Sequence, residues 1–123
     1  MTEAKGKVCH YTDVTAEVAS GEAKGATIRW LIDDTHDGAP VYSLRLVELA
    51  PGGHSPHHSH PYEHENFVVE GTGRVLMDGM WHELKPGDVA LVPPNCVHQY
   101  ENAGPTPFKF LCGIPVAKLR EGR

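Results

Sequence analysis

Turn residues constrain this chain more than any other property. Thirteen glycines and ten prolines are spread along 123 residues, and few windows free of both are long enough for a sizeable helix. The best helical candidate, DVTAEVAS at 13–20, is short. Strand-like segments recur instead: ATIRWLI (26–32), VYSLRLVEL (41–49), ENFVVE (65–70), GRVLMD (73–78), WHEL (81–84), DVALV (88–92), VHQY (97–100) and PFKFLCGI (107–114). Each is rich in β-branched, aromatic or aliphatic side chains, and most are bounded by turn signals such as APGG, EGTG, KPGD, PPN and NAGP. Short strands at near-regular spacing without intervening helices predict an all-β fold, a closed or sandwiched antiparallel sheet. Asp78-Gly79 suits a tight hairpin and Pro86-Gly87 a turn with glycine in the left-handed region. The first twenty residues and the tail after Pro115 read as peripheral.

Composition narrows the partners. A chain of this length with 40% hydrophobic and 22% charged residues is expected to form one domain over 1–123, with its core in the strand-like segments at about 26–115. Net charge is −5 and no Lys/Arg run occurs, which argues against nucleic acid or an anionic membrane as partner. The N-terminus has no secretory apolar region, and no apolar run is long enough to span a bilayer. Three scattered cysteines, Cys9, Cys96 and Cys112, argue against a disulfide scaffold, and a reducing cytoplasm is the expected home.

The window HHSHPYEHE, residues 57–65, holds four of the nine histidines. In an extended strand residues two apart share a side, so His58 and His60 can reach one metal ion. Pro61 can turn the chain and return His64 as a third imidazole. His98 stands far downstream, at the start of a strand after PPNC. His57 and Glu65 have the opposite parity to His58 and His64, His54 precedes Ser55-Pro56 on an approach loop, and Glu63 lies in the turn. A solvated polar loop is the competing reading of this window. His10, His36 and His82 are isolated and read as surface residues.

These residues also carry a resemblance. GGHSPHHSHPYEHENFVVEG is similar to the first motif of the cupin superfamily: glycine (Gly52), five residues, H-x-H (His58, His60), three residues, a slot usually filled by glutamate, six residues, glycine (Gly71). Histidine, His64, stands in that slot. GDVALVPPNCVHQYEN resembles the second motif, with Gly87, Pro93, His98 and Asn102 in place and Asn95 where glycine is usual. Asparagine also tolerates positive φ. The resemblance implies a double-stranded β-helix (jelly-roll) barrel holding a metal by His58, His60, His64 and His98. It is closest to small bacterial single-domain cupins with four-histidine sites, some with manganese. It also implies a homodimer formed by an N-terminal strand, a role open to ATIRWLI.

Four neutral imidazoles would leave the ion its full charge, favouring anionic or carbonyl-bearing small molecules. Imidazole suits Fe, Ni, Cu and Zn, and the resemblance adds Mn; closed tetrahedral zinc would leave no open position. In PFKFLCGIP, residues Phe108, Phe110, Cys112 and Ile114 share a face opposite Lys109, so that face should look inward. Cys112 would then be either a small buried hydrophobe or a redox or gating group near the metal. Asn66 shares the parity of His64, and Tyr100 that of His98. Arg45 is either an inward clamp for a carboxylate or a surface or interface residue, and Tyr62 is a candidate gate. The expected activity is a metal-dependent enzyme on a small organic substrate, dioxygenase-like oxidation ahead of redox-neutral isomerisation. The alternative is a non-catalytic cupin that senses or stores a ligand or metal.

Overall fold

The computed structural model describes residues 4–120. Nine strands occur among them: β1 (Ala16–Val18), β2 (Lys24–Ile32), β3 (Tyr42–His54), β4 (His64–Glu70), β5 (Gly73–Met77), β6 (Met80–Leu84), β7 (Val89–Val92), β8 (His98–Glu101) and β9 (Phe108–Pro115). All pairings are antiparallel, in the order β6-β5-β8-β3-β9-β4-β7, with β2 joining β3 and β1 joining β2. The long β3 bonds to β2 and β9 through the same residues, one strand on each edge, and its end reaches β8 at His54–Glu101. The result is a nearly closed antiparallel barrel, one of the two outcomes the strand spacing predicts, and of the jelly-roll type that the resemblance implies.

Alternation places the core. On β9 the side chains of Phe108, Phe110, Cys112 and Ile114 are buried, while Lys109 and Leu111 are less so. On β4 His64, Asn66 and Val68 are buried and Glu65, Phe67 and Val69 are exposed. Leu49, Val75 and Val92 close the core from β3, β5 and β7. The turns use the residues their backbones require. Asp78 and Gly79 both take positive φ (47° and 86°), as does Gly87 (92°). Asn95 stands at φ 67°, performing the turn that glycine usually makes.

Three expectations need correction. The segment 13–20 is not a helix: Ala16–Val18 instead pairs with 27–29 of β2. Eight residues with three β-branched side chains cannot repay helix nucleation, whereas the edge of β2 offers ready backbone partners. A helical turn forms instead at α1 (Asp34–Asp37), where the Asp33 carboxylate accepts from His36 N–H at 2.8 Å and Gly38 closes the turn at φ 71°. The ends are less peripheral than expected, since Ala19 packs on the core and Val116 is fully buried. Finally, His54 lies in β3 itself, which continues through Pro51-Gly52-Gly53.

Candidate metal centre

The histidine window is held by backbone before any side chain acts. His58 and His98 exchange reciprocal backbone hydrogen bonds, N–H to C=O, at 3.1 and 2.8 Å. The Asn95 N–H donates to the His60 carbonyl at 2.7 Å, so the left-handed Asn95 turn sets where His60 stands. His64 begins β4 and His98 begins β8, both on buried, inward positions.

His58, His60 and His98 each offer a ring nitrogen within 4.8 Å of the others. His64 abuts this three-histidine cluster, its Nε2 standing 2.9 Å from Nε2 of His60. Its ring centroid lies 4.7 Å from that of His60 and 5.0 Å from that of His98.

Partners outside the cluster fix two tautomers. The Cys96 carbonyl lies 2.9 Å from His98 Nδ1, and the Tyr62 carbonyl 2.8 Å from His60 Nδ1. Each Nδ1–H therefore donates outward and turns an Nε2 lone pair to the cluster side, where that of His60 meets His64 Nε2 and that of His98 meets no hydrogen-bond donor. The His98 Nε2 is buried and has no hydrogen-bond partner. Such an orphaned acceptor costs free energy unless something supplies it. Burial also pushes His64 down to about 2 and His98 down to about 4, and lowers His58 and His60, so the cluster is uncharged at neutral pH. Neutral imidazoles with converging lone pairs form a donor set that fits a divalent transition metal.

The cluster opens onto a cavity of about 210 Å³. Arg45, Tyr62, Tyr100 and Phe110 line it, as does a wall from Ala19, Ser20 and Ala23. That wall had no signal in the sequence, because small residues in a loop show no periodicity. Tyr62 stacks on His60 with ring centroids 3.9 Å apart and planes 10° from parallel. Phe110 stacks on Tyr100 at 4.6 Å.

Cys112 and Asn66 stand behind the cavity wall rather than on it. The Cys112 Sγ is 3.1 Å from His64 Nδ1 and accepts from Arg45 Nη2 at 3.1 Å. Asn66 accepts from the Tyr100 hydroxyl at 2.5 Å and donates to the Leu111 carbonyl at 3.3 Å, a brace between β4, β8 and β9. Burial pushes the Tyr100 phenol well up, so it stays protonated and donating.

The remaining candidates lie elsewhere. His57 and Glu65 are exposed, and a hydrogen bond between carboxyl groups of Glu65 and Glu63 holds Glu65 up to about 7. His10 caps a short 3₁₀ turn, His36 pairs with Asp33, and His82 is exposed on β6.

With this geometry in hand, the Cupin domain family profile matches residues 45–114, more than half of the chain. The chain belongs to the cupin family. Among solved structures, this cupin is similar to the polyketide cyclase RemF from Streptomyces resistomycificus, with 36% identity and a TM-score of 0.84, over 90% of this chain and 80% of that one. Protein SchB of Streptomyces halstedii is 29% identical over 85% of this chain and 73% of its own length. The tetracenomycin polyketide synthase protein TcmJ of Streptomyces glaucescens is 29% identical over 86% and 72% respectively. The cupin thus has enzymes acting on small molecules among its relatives. No helix among its described residues is long and apolar enough to cross a membrane.

Proposed function

We propose that this cupin is a metal-dependent enzyme acting on a carbonyl group of a small organic substrate, without net oxidation. One observation carries the reading: among the described residues, the buried His98 Nε2 is unpartnered and faces His58 and His60 at a cavity lined by no carboxylate. His58, His60 and His98 would hold the ion, with His64 as the fourth ligand through Nε2, in place of the glutamate usual in the family. When bound, a Mn, Fe, Ni, Cu or Zn ion supplies Lewis acidity undiminished by ligand charge, which polarises a carbonyl oxygen.

The residues of the chain do the rest. The carbonyls of Cys96 and Tyr62 keep two imidazoles in the ligating tautomer. Tyr62, stacked on His60, and Phe110 exclude water and orient the substrate in the cavity. The likeness to a polyketide cyclase supports redox-neutral carbonyl chemistry over the dioxygenase reading favoured by sequence. A cavity of about 210 Å³ is below the usual range for drug-sized ligands, which argues for a small substrate or for the end of a longer one. We take the homodimer to be part of the same proposal. The strand ATIRWLI does not supply it, since β2 is paired to β1 and β3 of its own barrel; the support is an exposed apolar face of Phe67 and Val69 on β4 and Val89 and Leu91 on the adjacent edge strand β7.

The test is metal analysis of untagged protein, combined with NMR detection of deuterium exchange α to the carbonyl across a panel of small ketones and diketones. Stoichiometric metal and metal-dependent exchange without oxygen uptake support the proposal. Oxygen uptake coupled to product formation would return it to the dioxygenase class. Full zinc occupancy with neither exchange nor oxygen uptake would assign the protein to binding or sensing.

A further inference from the structure

We infer that Arg45 forms an anion subsite beside the histidine cluster, so that the ligand of this cavity is a small carboxylate that also carries a carbonyl group. Arg45 lies in register between Trp30 of β2 and Cys112 of β9, pointing into the barrel with Val47 and Leu49 of its own strand. Its guanidinium carbon sits 5.3 Å from the Trp30 ring centroid, and its Nη2 donates to Cys112 Sγ at 3.1 Å. The Cys112 sulfur in turn touches His64, which places the guanidinium two contacts from the cluster.

What Arg45 lacks is a counter-charge. No carboxylate among the described residues lies within ion-pair distance of it. Its Nε is buried and has no hydrogen-bond partner. Among the described residues no aspartate or glutamate lines the cavity it shares, and Ala26, Ile28, Val47 and Leu49 make that side apolar. An arginine set in apolar surroundings is ordinarily paired, because removing the cation from water is repaid only by an opposite charge and satisfied donors. The planar guanidinium, which borders the cavity without a carboxylate partner, offers a fork of N–H donors that matches a carboxylate bidentately, and the low-dielectric wall strengthens the pair. The guanidinium and the histidines border one cavity, so a ligand with an acid group at one end and a carbonyl at the other engages both. The carbonyl end rests on the metal-centre proposal; the carboxylate end does not.

The experiment is isothermal titration calorimetry of metal-loaded protein with levulinate, butanoate and the neutral ketone 2-pentanone, in wild type, Arg45→Met and Arg45→Lys. Metal content and thermal unfolding are measured on the same samples. We expect wild type to bind levulinate more tightly than butanoate, and both at least tenfold more tightly than 2-pentanone. Arg45→Met should retain its metal and lose at least tenfold in affinity for both acids, with 2-pentanone unaffected. Arg45→Lys should recover part of that loss. Arg45→Met without ligand should melt no lower than wild type, because a shape-conserving apolar side chain replaces an unpaired cation; this result also shows that it folds. Equal affinity of wild type and Arg45→Met for butanoate would overturn the inference. Protein that takes up no metal on loading yet binds butanoate through Arg45 would uphold the subsite while overturning the metal-centre proposal, so the two failures are separable.

Discussion

At the scale of single residues, the question is which side chain of EHE faces inward. Alternation along β4 buries His64 with Asn66 and Val68 and leaves Glu65 outside. His64→Ala is therefore expected to lower bound metal per chain strongly, and Glu65→Ala to leave it at the wild-type value, as read by elemental analysis of dialysed protein. Acidity gives a second prediction. Burial depresses His98 to about 4 and His64 to about 2, against an ordinary 6.5. Below pH 6.5 the unfolded chain takes up protons that the native chain refuses, so metal-free protein loses stability as pH falls. Each histidine contributes about 1.4 kcal/mol per pH unit. The His98 contribution is exhausted near pH 4 and that of His64 near pH 2. Urea unfolding between pH 7 and 4 should show this slope, and His98→Gln should flatten it. Strand parity made His64 and the inward face of β9 legible in the sequence. The Arg45–Cys112 contact was not legible, because it depends on the register of two strands 67 positions apart.

At the scale of elements, the turns decide where the clustered histidines stand. Asn95 holds φ 67° while its N–H supports the His60 carbonyl at 2.7 Å. Asn95→Gly should be nearly neutral in stability and metal affinity. Asn95→Val places a β-branched residue in the left-handed region, and should cost roughly 1–3 kcal/mol and weaken metal binding as His60 shifts. The β4–β5 turn is stricter. Gly71 has φ 75°, and a Cβ there would stand 2.0 Å from the Pro107 carbonyl oxygen. Gly71→Ala should therefore destabilise by roughly 3 kcal/mol in urea titrations, with metal affinity retained in the folded fraction. Most strands were readable because turn residues bracket them and β-branched residues fill them. The segment at 13–20 was misread because local propensity is weak over eight residues, and β2 supplies the partner that decides its conformation.

At the scale of the whole molecule, the barrel closes through its own core. Phe108, Phe110, Leu49, Val68 and Val75 are buried without help from the histidines. Removing the ion should thus lower the melting temperature without unfolding the chain. Metal at a hundredfold excess over its Kd adds about 2.7 kcal/mol, equivalent to roughly 10 °C for a domain of this size. Calorimetry before and after chelation should show a single cooperative transition in both states, displaced by about that amount. A chain that loses its far-UV circular dichroism on chelation would contradict this reading of the core.

The reciprocal backbone bonds between His58 and His98 carry one more consequence. They tie the segment following β3 to β8, so the backbones that carry two of the cluster's imidazoles stay together while both bonds persist. Capture of the proposed ion would then require little chain ordering, and its escape is expected to quicken when this bridge opens. The amide hydrogens of His58 and His98 become a clock for the centre: their exchange with deuterated solvent should slow together on metal loading, and their opening rate should set the upper limit on metal release.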